Sequence, residues 1–139
     1  MYIPVKLRER IRITDRDRCA YCQTSEANSG ISLAHDHILP TSLGGEITFE
    51  NICQSCRPCN EHKGDRITGT DPLAGEAFPL FNPRTQLWHE HFIWSYDGTH
   101  IRGITSIGRA TVIALQMNNA TIVPARERWV AAGWHPPID

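Results

Sequence analysis

Two cysteine pairs, Cys19-Ala-Tyr-Cys22 and Cys56-Arg-Pro-Cys59, bracket a stretch rich in imidazole, carboxylate and amide groups. Two thiolates spaced this way can grip one ion from a single turn. Two such turns complete the closed, tetrahedral donor set of a structural zinc. The gap between the pairs is longer than in a simple zinc ribbon, so the clip closes over the whole His35-Asp36-His37 segment. The alternatives are four unrelated buried thiols or a redox pair, and no thioredoxin-like strand–helix pattern surrounds either pair. Cys53 reads as a small core hydrophobe, with a reactive thiol as the alternative.

A four-thiolate zinc has no open coordination position, so any chemistry belongs to other groups. Asp36, His37, Asn51, Asn60, His62 and Lys63 all lie within or beside the clip. Carboxylate and amide oxygens are hard ligands suited to magnesium or manganese. His37 can take a proton from water at neutral pH, and Lys63 can meet a phosphate oxygen. Together they describe metal-assisted hydrolysis of a phosphodiester. His-Asp-His by itself also fits a metal site, an acid/base pair or a polar strand end.

In order along the chain stand Asp36-His37-Ile38-x-Pro40, Gly44-Gly45, Asn51-Ile52, and Cys56-x-x-Cys59-Asn60-x-x-Lys63. This ordered set resembles the HNH nucleases, which have a ββα-metal fold, here with an added four-cysteine zinc site. The likeness covers residues 17–66. It implies that His37 is the general base and that Asp36 and Asn60 bind a catalytic magnesium or manganese. It also implies that Asn51 holds the loop and orients His37, and that Lys63 sits near the phosphate.

The elements must deliver these groups to one place. A short helix is expected over 5–14 and a polar turn over 23–30. A strand is expected over 31–37, with Ile31 and Leu33 on one face. Pro40 to Glu46 reads as loop, 47–54 as a turn into a second strand, and 56–66 as a knuckle running into a helix. Strict alternation would put Asp36 and His37 on opposite faces. Both reach one ion only if the strand ends there and the loop twists. His35 would share a face with His37, and His62 lies one turn into the helix. Both are candidate site residues, with plain polar roles as the alternative.

The whole is expected to be α+β: a small ββα-metal core over residues 1–70, then an α+β extension over 71–139 packed on it as one compact unit. Thr68 to Pro72 (TGTDP) reads as a breaker at that boundary. Beyond it, Tyr96-Asp97-Gly98 signals a hairpin. Thr105 can cap a helix over 106–117, and a last helix fits 123–132 with Trp129 as its core anchor. His89-x-His91 has strand spacing and no third ligand nearby. Trp88, Trp94, Trp129 and Trp134 are expected to close a small core, with stacking on an unpaired base as the other use. The second half also resembles the tails that follow the HNH core in small stand-alone bacterial proteins, a likeness that assigns no role.

The 139 residues carry a net charge of −1, so no global basic field attracts nucleic acid. Lys6, Arg8, Arg10, Arg12, Arg16 and Arg18 nonetheless crowd the start of the chain. They form either a solvated helix face or a phosphate-contacting edge. No apolar run approaches the roughly 20 residues that span a bilayer. The charged start MYIPVKLRER lacks the apolar stretch of a signal peptide, so a cytoplasmic protein is expected. The leading reading is a DNA endonuclease, monomeric or weakly dimeric, with RNA still open as a substrate. The alternatives are a non-catalytic zinc-stabilised nucleic-acid-binding module and a zinc-stabilised interaction protein.

Overall fold

A computed structural model describes residues 1–139, which divide into two compact units. The first comprises Met1–Ile67 with Asn82–Thr85, and the second Thr68–Phe81 with Gln86–Asp139. The fold is α+β, and its strands form three separate two-stranded antiparallel sheets. No helix is long and apolar enough to cross a membrane.

In the first unit, helix α1 spans Val5–Thr14, as the spacing predicts. Ile11 is buried on it and joins Ile3 and Ile52 in a small core, with Leu7 and Phe49 packed alongside. A short helix α2, Glu26–Ser29, follows. Ser25 caps it by accepting from the Asn28 N–H, and Gly30 ends it at φ 71°. Strand β1 is Ala34–His37, and it pairs with β2, Ile52–Ser55.

The expected strand over 31–37 therefore loses its first three residues. Local side-chain bonds claim that backbone: the Ser29 hydroxyl accepts from Ile31 N–H, and the Glu26 carboxylate from Leu33 N–H. Ile31 is exposed and does not share a core face with Leu33. Helix α3, Arg57–Lys63, packs against β1, and α1 packs against β2. The core order is thus strand, strand, helix.

Residues 82–85 return to this first unit. The Arg84 guanidinium makes a two-pronged pair with Asp15, at 2.7 and 3.1 Å. It also donates to the carbonyls of Phe49 and Ile52. Asp15 in turn accepts from the Gln54 N–H at 2.8 Å. One buried ion pair therefore ties the end of α1 to β2.

In the second unit, the TGTDP stretch is not a breaker. It forms strand β3, Thr68–Asp71, paired with β4, Glu76–Pro79. Gly69 permits this, because a Cβ there would come within 3.0 Å of the Ala110 carbonyl. Buried Asp71 is gripped by Arg109, with both contacts at 3.0 Å. His89 and His91 lie in a helical turn, α4 (Trp88–His91), not at strand spacing. That turn brings Trp88 to 5.1 Å from Phe92, an i,i+4 aromatic contact.

The Asp97-Gly98 hairpin joins β5, Phe92–Trp94, to β6, Ile101–Gly103. Helix α5, Ser106–Ala114, is capped by Thr105 and stops short of residue 117, because Gln116 turns to φ 48°. Helix α6 spans Ile122–Ala131. Trp129 is buried on it, but Trp134 is 61% exposed and closes no core. The unforeseen anchor of α6 is Arg126. It is fully buried, and its guanidinium donates to the carbonyls of Thr99 and Met117 and to the Asn118 amide oxygen.

Candidate active site and cysteine metal centre

The cysteine knuckles converge. The sulfurs of Cys19, Cys22, Cys56 and Cys59 all lie within 4.8 Å of one another, and Cys22 Sγ is 3.6 Å from Cys56 Sγ. Tetrahedral zinc with Zn–S bonds near 2.3 Å requires sulfurs about 3.8 Å apart. The four cysteines are therefore placed to hold a metal ion, and the Cys22–Cys56 separation is close to zinc's spacing. Hydrogen bonds from Cys19, then Cys56 and Cys59, hold the Cys22 thiol well below its ordinary range. The same sharing, with Cys19 first, pushes Cys56 and Cys59 up. A bound cation would displace those shared protons. Cys53 is fully buried and outside this cluster, and burial pushes its thiol up.

Register sets the faces of β1. Asp36 stands opposite Cys53, and His37 opposite Ile52. Cross-strand partners share a face, so Asp36 looks one way, and His37 lies on the side of Ile52 and the α1 core. The strand ends at His37. The next residue, Ile38, still donates its N–H to the Asn51 carbonyl at 2.8 Å.

Asp36 is 4% exposed. Its Oδ2 accepts from the Tyr21 hydroxyl at 2.7 Å and lies 3.1 Å from the Lys63 ammonium. Its Oδ1 has Lys63 at 3.4 Å. Burial raises the Asp36 carboxyl above its ordinary value, and the Lys63 charge opposes that shift. Lys63 is itself buried. Its ammonium points inward, to Asp36 and to the carbonyls of His37 at 3.0 Å and Ile38 at 3.2 Å. It closes the end of α3 onto the end of β1.

Asn51 pins the loop that follows. Its side chain accepts from Leu39 N–H at 2.8 Å and donates to the carbonyls of Leu39 and Glu46, each at 3.0 Å. Its amide bonds go to that loop, and its tie to the strand end is the backbone bond to Ile38. Gly45 is required here, because a Cβ would collide with the Leu39 carbonyl and the Asn51 amide.

Asn60 is half-buried on α3, one turn before Lys63. Magnesium sites commonly use one or two carboxylates and fill the remaining positions with water and phosphate. By donor type, the Asp36 carboxylate and the Asn60 amide oxygen are of that kind. His62 is half-buried near the end of α3. His35 pairs with Gln54 on the other face from Asp36. Burial, with the Arg8 charge second, lowers the His35 imidazole. In the basic segment, Arg10 stacks over the Phe49 ring at 3.7 Å and Arg12 pairs with Asp17 at 3.2 Å, so both have partners within the fold. His91 bonds Thr105 at 2.7 Å, and His89 is exposed.

Two participants escaped sequence reasoning. Tyr21 was legible only as the spacer of a knuckle, although a large polar residue between two buried thiols is a signal in itself. Arg84 gave none, because its partner Asp15 is distant in the chain.

These features define an α+β core of the strand–strand–helix kind with four cysteines placed to hold a metal ion. Residues 19–70 match the family model described as HNH endonuclease. No curated protein and no solved structure matches the chain.

Proposed function

We propose that the chain is a divalent-metal-dependent DNA endonuclease with His37 as general base. One observation carries the reading. At the end of β1 a buried carboxylate, Asp36, is followed directly by an imidazole, His37; the two alternate in face, and the strand ends at His37, where Lys63 of α3 closes onto it and Asn60 lies one turn earlier on that helix. The match of residues 19–70 to the HNH endonuclease model supports phosphodiester hydrolysis as the reaction class.

Asp36 and Asn60 would hold magnesium or manganese. Bound there, the ion supplies charge stabilisation at the scissile phosphate and the leaving oxygen. His37 takes the proton of the attacking water as its oxygen bonds to phosphorus, and the bond from phosphorus to the leaving oxygen breaks. Lys63 acts from behind: it partners the buried Asp36 carboxylate and fixes the carbonyls of His37 and Ile38. Asn51 keeps the loop closed beside the strand end. Cys19, Cys22, Cys56 and Cys59 would hold a zinc that joins the knuckle before β1 to the start of α3, with no open position for chemistry.

The test is incubation of the zinc-loaded protein with supercoiled plasmid in magnesium, in manganese and in a chelator selective for those ions. Nicking only where the ion is present is expected. Equal nicking in the chelator, or none with either ion on any DNA substrate, contradicts the proposal.

A further inference from the structure

Tyr21 belongs to the zinc knuckle by sequence and to the catalytic carboxylate by contact. It lies between Cys19 and Cys22 and is fully buried. Its hydroxyl donates to Asp36 Oδ2 at 2.7 Å, the shortest of the contacts that carboxylate makes to Tyr21 and Lys63. The knuckle that carries it is fixed on both sides. Ala20 N–H donates to the Gln54 carbonyl of β2 at 2.9 Å, and Cys19 N–H to the Thr24 carbonyl at 2.8 Å. The hydroxyl is therefore presented from a frame built by the cysteine cluster and the strand pair, with little freedom to follow a carboxylate that moves.

We propose that Tyr21 is a positioning residue for the divalent-ion site, and that through it the zinc clip sets the orientation of the Asp36 carboxylate. This rests on the reading of Asp36 as a ligand of that ion. A carboxylate alone on a short strand end can rotate about its last side-chain bond. Here the hydroxyl holds Oδ2 at 2.7 Å, while the Lys63 ammonium lies 3.1 Å from Oδ2 and donates to Oδ1 at 3.4 Å, so the hydroxyl is the contact that distinguishes one oxygen from the other. Lys63 cannot do this alone, because its ammonium is also shared with two carbonyls and lies within reach of both carboxylate oxygens. The hydroxyl is neutral, so unlike the ammonium it orients the carboxylate without competing electrostatically with a second cation. Groups that hold a ligating side chain by hydrogen bonding tune metal affinity in this way.

The experiment measures manganese binding to the zinc-loaded full chain without nucleic acid, by the loss of the free-ion paramagnetic resonance signal. Wild type is compared with Tyr21→Phe and Asp36→Ala, and zinc content and melting temperature are measured in parallel. Tyr21→Phe keeps the ring and removes the hydroxyl. The expected result is an apparent manganese Kd raised about tenfold, with zinc content and melting temperature close to wild type, and binding lost in Asp36→Ala. Wild-type affinity in Tyr21→Phe, with binding lost in Asp36→Ala, overturns this inference and leaves the ligand reading standing. Unchanged affinity in Asp36→Ala overturns both. Loss of zinc from Tyr21→Phe would place the hydroxyl's role in the clip itself and also overturn the inference.

Discussion

At the scale of the residue, the arrangement turns on one buried charge pair. Asp36 and Lys63 have side chains only 5% and 2% exposed, and Lys63 also ties two carbonyls at the end of β1. Removing the cation leaves a buried carboxylate whose one remaining strong donor is the Tyr21 hydroxyl. Breaking a buried pair from one side costs about 3–5 kcal/mol. Lys63→Met is therefore expected to lower stability by about that amount in a denaturant titration; a change below about 1 kcal/mol would mean the pair is solvated. The type of each residue was legible in the sequence, but its direction was not. Asp36, His37, Asn51, Asn60 and Lys63 stand out as hard ligands, a base and a cation at telling spacings. Nothing local says that the Lys63 ammonium turns inward. That depends on where α3 ends against β1, which is set by packing.

At the scale of the element, the hairpin β1–β2 and helix α3 are short, of four, four and seven residues. Elements this small bury little apolar surface and need a staple. The cysteine cluster supplies one, joining the knuckle before β1 to the start of α3. Cys56→Ser is expected to lose zinc and to collapse the ordered structure of residues 19–63, read as lost amide dispersion by NMR. Full dispersion in a zinc-free variant would contradict the staple.

Elements with local signals form where the sequence places them. Helix α1 matched its expected range, and Thr105 caps α5 as expected. Elements whose stability comes from afar depart from the local pattern. Strand β3 depends on Gly69 letting α5 approach closely, and on Arg109 reaching Asp71 from thirty-eight residues away. The turn at Trp88–His91 depends on ring packing with Phe92. In each case tertiary contacts overrode the local pattern.

At the scale of the whole molecule, the two units carry different probes and different chemistry. The four tryptophans all lie in the second unit, and the cysteine cluster lies in the first. Tryptophan emission therefore reports on the second unit. There, hydrogen bonding from Arg109 holds the Asp71 carboxyl well below the ordinary carboxylate range. The Ser95 hydroxyl, with Thr99, holds Asp97 down to about 2. A carboxyl lowered in the folded state favours folding when ionised. That contribution is complete above the ordinary value near pH 4 and is lost as pH falls toward the lowered values. The second unit should thus lose thermal stability between about pH 4 and pH 2, and Asp71→Asn should flatten that dependence. Identical slopes in wild type and variant would contradict it. The family model ends at residue 70, so it assigns no role to most of the second unit.

The central claim is that His37 takes the proton from the attacking water. The most direct test compares wild type with His37→Ala, both zinc-loaded and folded, on supercoiled plasmid in magnesium. Nicking by wild type is expected, with a loss of at least about a hundredfold in the variant, the lower range of general-base contributions. Cleavage by His37→Ala at the wild-type rate would contradict it.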